Sequence, residues 1–346
     1  MEIGIVMLLW IAAALLFVLV SLFIYLVIRK IILNGRHRKT DELTEKYRQP
    51  FYDYLLKGNE SRLLLPDRDK RKTEALVQLL MQCAVLFRGD DSLNRIRAYA
   101  ERYLSSRDRE QLGRRSWNRR MQALHRIERF DMRAMEPTLL EMAKRRRTSE
   151  EERTILLKLL ARWASSSAID LIAATGTTLP DFQRRLILSQ MEPDTFSAFI
   201  HRWNDLPSSW QHTAIDTIGI RRAVEHRAML DELAVSDDGE IRIRSLKALC
   251  QLGYAPPSPR YLVHAESADW QERLMAAKLY GVIRSREHGA ALASLIGDPN
   301  WFVRSQAAQS LLVYEEGARS LRKIAAASED RFAREMAKEW LERGGA

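Results

Sequence analysis

Chemistry, if the chain performs any, should show first in its histidines, cysteines and glycines. The seven histidines are His37, His125, His201, His212, His226, His264 and His288, and none stands in H-E-x-x-H or another zinc-ligand spacing. Cys83 and Cys250 lie far apart, make no metal-ligand pair, and read as buried apolar side chains in a reducing compartment. No P-loop, G-x-G-x-x-G or G-x-S-x-G occurs among the 15 glycines. The sequence therefore points to no catalytic residue, no metal and no cofactor. The residue whose spacing is informative is arginine. Arg242, Arg273, Arg304 and Arg334 each follow a turn phrase (SDDGEI, SADWQE, GDPNWFV, SEDRFA) and open an amphipathic stretch, at intervals of 31, 31 and 30.

Further back the same phrase continues with Arg120, Arg153, Arg184 and His212, spaced 33, 31, 28 and, to Arg242, 30. Three residues after each marker stand Ala123, Leu156, Ile187, Ile215, Ser245, Ala276, Ala307 and Ala337. Seven after stand Ile127, Leu160, Met191, Gly219, Leu249, Tyr280, Leu311 and Leu341. Offsets of three and seven share a helical face, so the periodicity predicts one helix per marker with a small or apolar stripe. HRAMLDELAVS, GAALASLIG and ARSLRKIAAAS supply second helices, and the Asp- or Ser-rich turns supply N-caps. A helix pair this short cannot bury its own apolar faces, so consecutive pairs must stack. No alternating β pattern of useful length appears. The expected fold class is all-α.

DPNWFVRSQAAQSL resembles a HEAT repeat in the short form of bacterial HEAT-like proteins, clearly over 230–345 and in degenerate form over 106–229. The resemblance implies a right-handed α-solenoid of helix pairs. It also implies that the marker arginines Arg153, Arg184, Arg242, Arg273, Arg304 and Arg334 form a structural ladder onto turn carboxylates such as Asp298. Asp237 or Asp238, Asp269 and Asp330 are the other candidates. Two enzyme types share this architecture. Deoxyhypusine hydroxylase uses His-Glu pairs on successive repeats, whereas this chain has Glu225-His226 and Glu287-His288, reversed in order and two repeats apart. HEAT-like DNA glycosylases line a basic groove with tryptophan and an Asp. Here Trp163, Trp203, Trp210, Trp270, Trp301 and Trp340 fall at helical spacing and read as core.

Before the repeats, Ile3 to Ile28 is an uncharged run of 26 residues, long enough to cross a bilayer as a helix. It lacks a basic n-region and a cleavage site, so it reads as an uncleaved anchor. Arg29, Lys30, Arg36, Arg38 and Lys39 follow it, which by the positive-inside bias places the N-terminus outside and the rest in the cytoplasm. The expected organisation is a transmembrane anchor and basic flank over 1–35, a helical juxtamembrane cap over 36–105, and a solenoid of about eight units over 106–346. A linker is expected near 57–68.

The net charge of +10 is concentrated, because residues 95–147 carry 16 Lys plus Arg against 7 Asp plus Glu. Arg119, Arg126, Arg129 and Arg133 recur on one helical face, and Lys144, Arg145, Arg146 and Arg147 add a loop cluster. This is the candidate surface for a protein partner or anionic lipid. The function expected is a non-enzymatic scaffold, tethered by a single pass at the inner face of the cell membrane and binding a membrane-associated protein. The alternative is a basic-groove nucleic-acid binder.

Overall fold

The turn-and-helix phrase read from the sequence is what the chain builds. A computed structural model describes residues 2–65, 70–145, 147–175 and 179–344, without the side chains of 2–9, 11–14, 31–40, 70, 166, 168, 173 and 175. Among these residues the secondary structure is helix and turn only. The chain divides into two compact units, 1–145 and 146–346.

The first unit contains α1 (Glu2–Lys57), α2 (Lys70–Leu86), α3 (Asp90–Leu112), α4 (Trp117–Phe130) and α5 (Glu136–Ala143). The C-terminal part of α1 packs on α2 and α3, and α3 packs on α4. Phe51, Leu55, Leu79, Leu80, Ile96, Leu104 and Leu124 form its core. The compact division therefore falls after the boundary near 105 that periodicity suggests, because α3 to α5 share a core with the preceding helices. The expected linker near 57–68 holds a turn at Gly58 and a short 3-10 helix, Arg62–Leu64; residues 66–69 lie outside the described residues.

The second unit runs α6 (Glu150–Arg162), α7 (Ser166–Thr175), α8 (Asp181–Leu188), α9 (Pro193–Ile200), α10 (Ser208–Arg221), α11 (Arg227–Leu233), α12 (Gly239–Leu252), α13 (Trp270–Ile283), α14 (Arg286–Leu295), α15 (Trp301–Leu312), α16 (Gly317–Ala327) and α17 (Arg331–Gly344). The marker residues open α6, α8, α10, α12, α13, α15 and α17, and each of these helices packs on the next in the series. Between α12 and α13 the second helix is replaced by a 3-10 stretch, Pro259–Glu266.

The stripe three and seven residues after each marker is the core. Leu156, Leu160, Ile187, Ile215, Leu249, Ala276, Tyr280 and Ala307 have no exposed surface, whereas Leu341 at the last helix is only half-buried. Burying each large aliphatic contributes about 1.5–3 kcal/mol. Gly219 interrupts the stripe for a steric reason: a Cβ there would lie 2.9 Å from the Ala248 Cα, so its absence lets α10 and α12 approach. Three tyrosines tie the series together. Tyr314 donates to the Tyr280 carbonyl (2.8 Å), Tyr280 to the Tyr261 carbonyl (2.6 Å), and Tyr261 to the Asp231 carboxylate (2.5 Å).

Within the proposed anchor, Ile3 to Ile28, the side chains of residues 3–9 and 11–14 lie outside the described ones. Among the described residues no helix is long and apolar enough to cross a membrane. The described positions of the run, Trp10 and Leu15 to Ile28, are all exposed.

Candidate functional site

One turn aspartate or asparagine caps each of the helices α12, α13, α15 and α17. Asp238 accepts from the Glu240 (2.8 Å) and Ile241 (3.3 Å) amides, Asp269 from Gln271 (2.8 Å), Asn300 from Phe302 (2.9 Å) and Asp330 from Phe332 (2.9 Å). The marker arginine, one turn into the helix, reaches back over that cap. Nη1 of Arg273 donates to the carbonyls of Ser267 (2.8 Å) and Ala268 (3.2 Å). Arg242 does the same to Ser236 and Asp237, Arg304 to Asp298 and Pro299, Arg334 to Ser328 and Glu329, and Arg120 to Arg114 and Arg115. These carbonyls precede the helix and have no helical partner, so the guanidinium fork closes the turn.

What the other edge of the guanidinium meets differs from repeat to repeat. Arg273 grips Asp298 of the next unit through Nε (2.6 Å) and Nη2 (3.0 Å). Arg242 grips Glu272 in the same bidentate manner (3.0 and 2.9 Å) and not Asp269, whose carboxylate is engaged as a cap. Arg184 meets the Thr213 hydroxyl (3.0 Å) and the Leu179 carbonyl. Arg304 pairs with no carboxylate among the described residues; its guanidinium lies 5.0 Å over the Phe332 ring, with Nε buried and unpartnered. The Arg153 Nε is likewise buried without a partner.

Glu272 is the most densely coordinated of these carboxylates. It is 2 % exposed and accepts from Arg242 and from Ser267 Oγ (3.0 Å), and its Oε1 lies 2.7 Å from His264 Nδ1. Burial pushes its pKa up, but the hydrogen bonds from Arg242, His264 and Ser267 outweigh that and leave it below the ordinary value.

The predicted basic face does not assemble as one surface. Arg119 and Arg129 are exposed, but Arg126 turns inward and holds the fully buried Asp108 through Nε (3.0 Å) and Nη2 (2.5 Å), with Gln111 at 2.6 Å. α4 ends at Asp131, whose φ of 50° is left-handed, so Arg133 sits beyond the helix and beside Asp131 (3.3 Å). Asp131 is shared with Arg97 (2.5 Å). Lys144 faces Glu141 (3.3 Å), Arg145 and Arg147 are exposed, and Arg146 lies outside the described residues.

The two Glu-His pairs do not converge. His226 and His288 are buried while Glu225 and Glu287 are exposed, so each pair faces in two directions. His226 meets Ser197 Oγ (3.3 Å), His288 meets Ser285 Oγ (2.6 Å), and burial depresses the pKa of both imidazoles. Among the described residues no three His, Cys, Asp or Glu side chains cluster as a metal site would need.

The tryptophans divide. Trp163 and Trp210 are core, but Trp270 is 37 % and Trp301 48 % exposed. They stand in the first turns of α13 and α15, ahead of the buried stripe, where Phe302 and Phe332 are also exposed. Trp270 stacks on Phe302 with ring centroids 5.8 Å apart, and Trp301 meets Phe302 edge-on at 5.3 Å. This row of aromatics along the turns was not anticipated from helical spacing. The signal for it was position, since first-turn residues precede the apolar stripe.

No protein-family model and no curated protein matches the chain. Among solved structures, the crystal structure of an engineered protein is similar at 16% identity and a TM-score of 0.37, over 90% of this chain and 95% of that one. Human deoxyhypusine hydroxylase in complex with glycerol is similar at 13% identity and a TM-score of 0.27, over 87% and 97%. Scores this low transfer nothing to the present chain.

Proposed function

We propose that the chain is a membrane-tethered scaffold, a right-handed α-solenoid of HEAT-like helix pairs that holds a protein partner at the cytoplasmic face of the cell membrane without chemistry of its own. One observation carries the binding reading: Trp270, Trp301, Phe302 and Phe332 are exposed rings in the first turns of successive marker helices, and Phe302 touches both Trp270 and Trp301. Singly exposed apolar residues are ordinary, whereas neighbouring exposed rings mark an interaction surface. The tether reading is supported by Leu15 to Ile28, fourteen consecutive exposed residues without a charge, which need an apolar cover. The five basic residues after Ile28 give the orientation. The nucleic-acid alternative is disfavoured because the exposed tryptophans stand beside acidic turns, where phosphate is repelled, and because Arg126 and Arg133 are occupied.

A photo-reactive residue in place of Trp301 in the full chain, expressed in cells, tests the reading. One specific membrane-associated protein should crosslink. A reporter fused after Ala346 should be active in the cytoplasm only, and activity on the far side of the membrane would overturn the orientation.

A further inference from the structure

The aromatic row lies among carboxylates. Asp237, Asp238, Asp269 and Glu329 are exposed along the same turns, Asp330 is half-exposed, and none has an ion-pair partner among the described residues. The marker arginines of these turns spend their hydrogen bonds on turn carbonyls and on the buried Glu272 and Asp298, and reach the exposed Asp237, Asp238 and Asp269 only through space. In a chain of net charge +10, the turn edge from α12 to α17 is thus locally acidic and aromatic. The edge also displays the chemistry it favours: the Arg304 guanidinium carbon lies over the Phe332 ring, 5.0 Å from its centroid, while its Nη1 bonds carbonyl oxygens.

We infer that this edge binds an arginine-bearing, cationic segment of the partner protein. The inference rests on the scaffold reading and names the partner's chemistry. A planar guanidinium stacks on Trp270, Trp301 or Phe302 and uses its donors on the flanking carboxylates; an ammonium satisfies the carboxylates but cannot stack in that way. Charge complementarity selects the cation, and the exposed ring faces select arginine over lysine.

The test uses the full chain in a non-ionic detergent and three synthetic peptides, Gly-Arg-Gly-Arg-Gly-Arg-Gly, its lysine counterpart and its citrulline counterpart, read by calorimetry. The arginine peptide should bind at least tenfold more tightly than the lysine peptide, and the citrulline peptide should not bind. Trp301→Ala with Phe302→Ala should abolish binding while the thermal melt is retained, because both side chains are exposed. Asp269→Asn with Asp330→Asn keeps both caps and removes only charge, so binding should weaken severalfold and lose its salt dependence. Absence of arginine-peptide binding, equal affinity for the three peptides, or unchanged binding by both variants overturns the inference. The two readings separate at the crosslink. A partner trapped at Trp301 through a segment without arginine overturns the inference and leaves the scaffold standing. Peptide binding with no partner trapped in cells supports the edge chemistry and removes the scaffold.

Discussion

Asp108 in the first unit and Glu272 in the second are carboxylates with almost no exposed surface, each held by an arginine from the adjoining helix. Their pKa values nevertheless move in opposite directions. Burial dominates at Asp108 and raises it against the pull of Arg126, while at Glu272 the donors prevail and lower it. The difference lies in how many oxygens are satisfied. Both oxygens of Glu272 are engaged by Arg242, with Ser267 and His264 beside them. At Asp108 the bonds from Arg126 go to Oδ1, and Oδ2 is buried without a partner. A buried ion pair is stabilising only when hydrogen bonds replace the water each atom has lost.

That contrast breaks most visibly at Glu272. Glu272→Gln leaves the Arg242 fork without its counter-charge and should cost about 3 kcal/mol or more, read as an earlier denaturation midpoint of the full chain. A loss below about 1 kcal/mol would show that the network adds little. Arg304 is the next case, a buried cation held by carbonyls and a ring with no carboxylate. Arg304→Ala should cost about 1–3 kcal/mol. Arg334 makes the same carbonyl bonds with no ring over its guanidinium among the described residues, and its loss should cost less than that of Arg304. Equal costs would mean that the Phe332 contact contributes nothing.

Asp108→Asn sharpens the comparison from the other side. The amide keeps the shape and removes a charge that the site disfavours, so the cost should be about 1 kcal/mol or less. The same pair predicts the acid limb of the stability curve. Glu272, lowered on folding, contributes stability above its unfolded pKa that is lost as pH falls through its folded value. Asp108, raised on folding, contributes below its unfolded pKa and loses that contribution as pH rises through its folded value. On acidification from neutral pH the two oppose each other. Glu272→Gln should therefore flatten the acid-induced loss of stability and Asp108→Asn should steepen it, which denaturation series at several pH values would measure.

Much of this architecture was legible in the sequence, because it depends on local period. The stripe from Ala123 and Ile127 to Ala307 and Leu311 is buried as the spacing requires, and the turn residues Asp238, Asp269 and Asn300 cap the helices they precede. What each marker arginine would grip was legible only in part: Asp298 is a turn carboxylate of the kind the phrase offers, whereas Glu272 is not. Arg242 takes Glu272 and Arg273 takes Asp298, thirty and twenty-five residues on, and these carboxylates occupy different positions in their repeats. Arg126 misled for a related reason. Its spacing from Arg119 and Arg129 describes α4 alone, whereas its direction is set by Asp108 on α3, eighteen residues earlier.

The smallest expected effect on folding belongs to the two arginines of α4 that remain at the surface. Arg119 and Arg129 are exposed, and neither has an acidic partner among the described residues. Exchanging both for Glu should alter stability by no more than about 0.5 kcal/mol, the range of surface substitutions away from caps, cores and ion pairs. Arg126→Glu, on the same helix, sets a carboxylate against the buried Asp108 and should unfold the first unit or lower its melting transition sharply. The double variant thus isolates the surface charge. If that charge helps hold the chain on anionic lipid, each cation contributes on the order of 1 kcal/mol near the membrane surface. Co-sedimentation with phosphatidylserine vesicles should then fall for Arg119→Glu with Arg129→Glu and lose part of its salt sensitivity. Equal co-sedimentation by wild type and double variant would reduce both arginines to a solvated face, and destabilisation of the double variant would place them among the structural arginines beside Arg126.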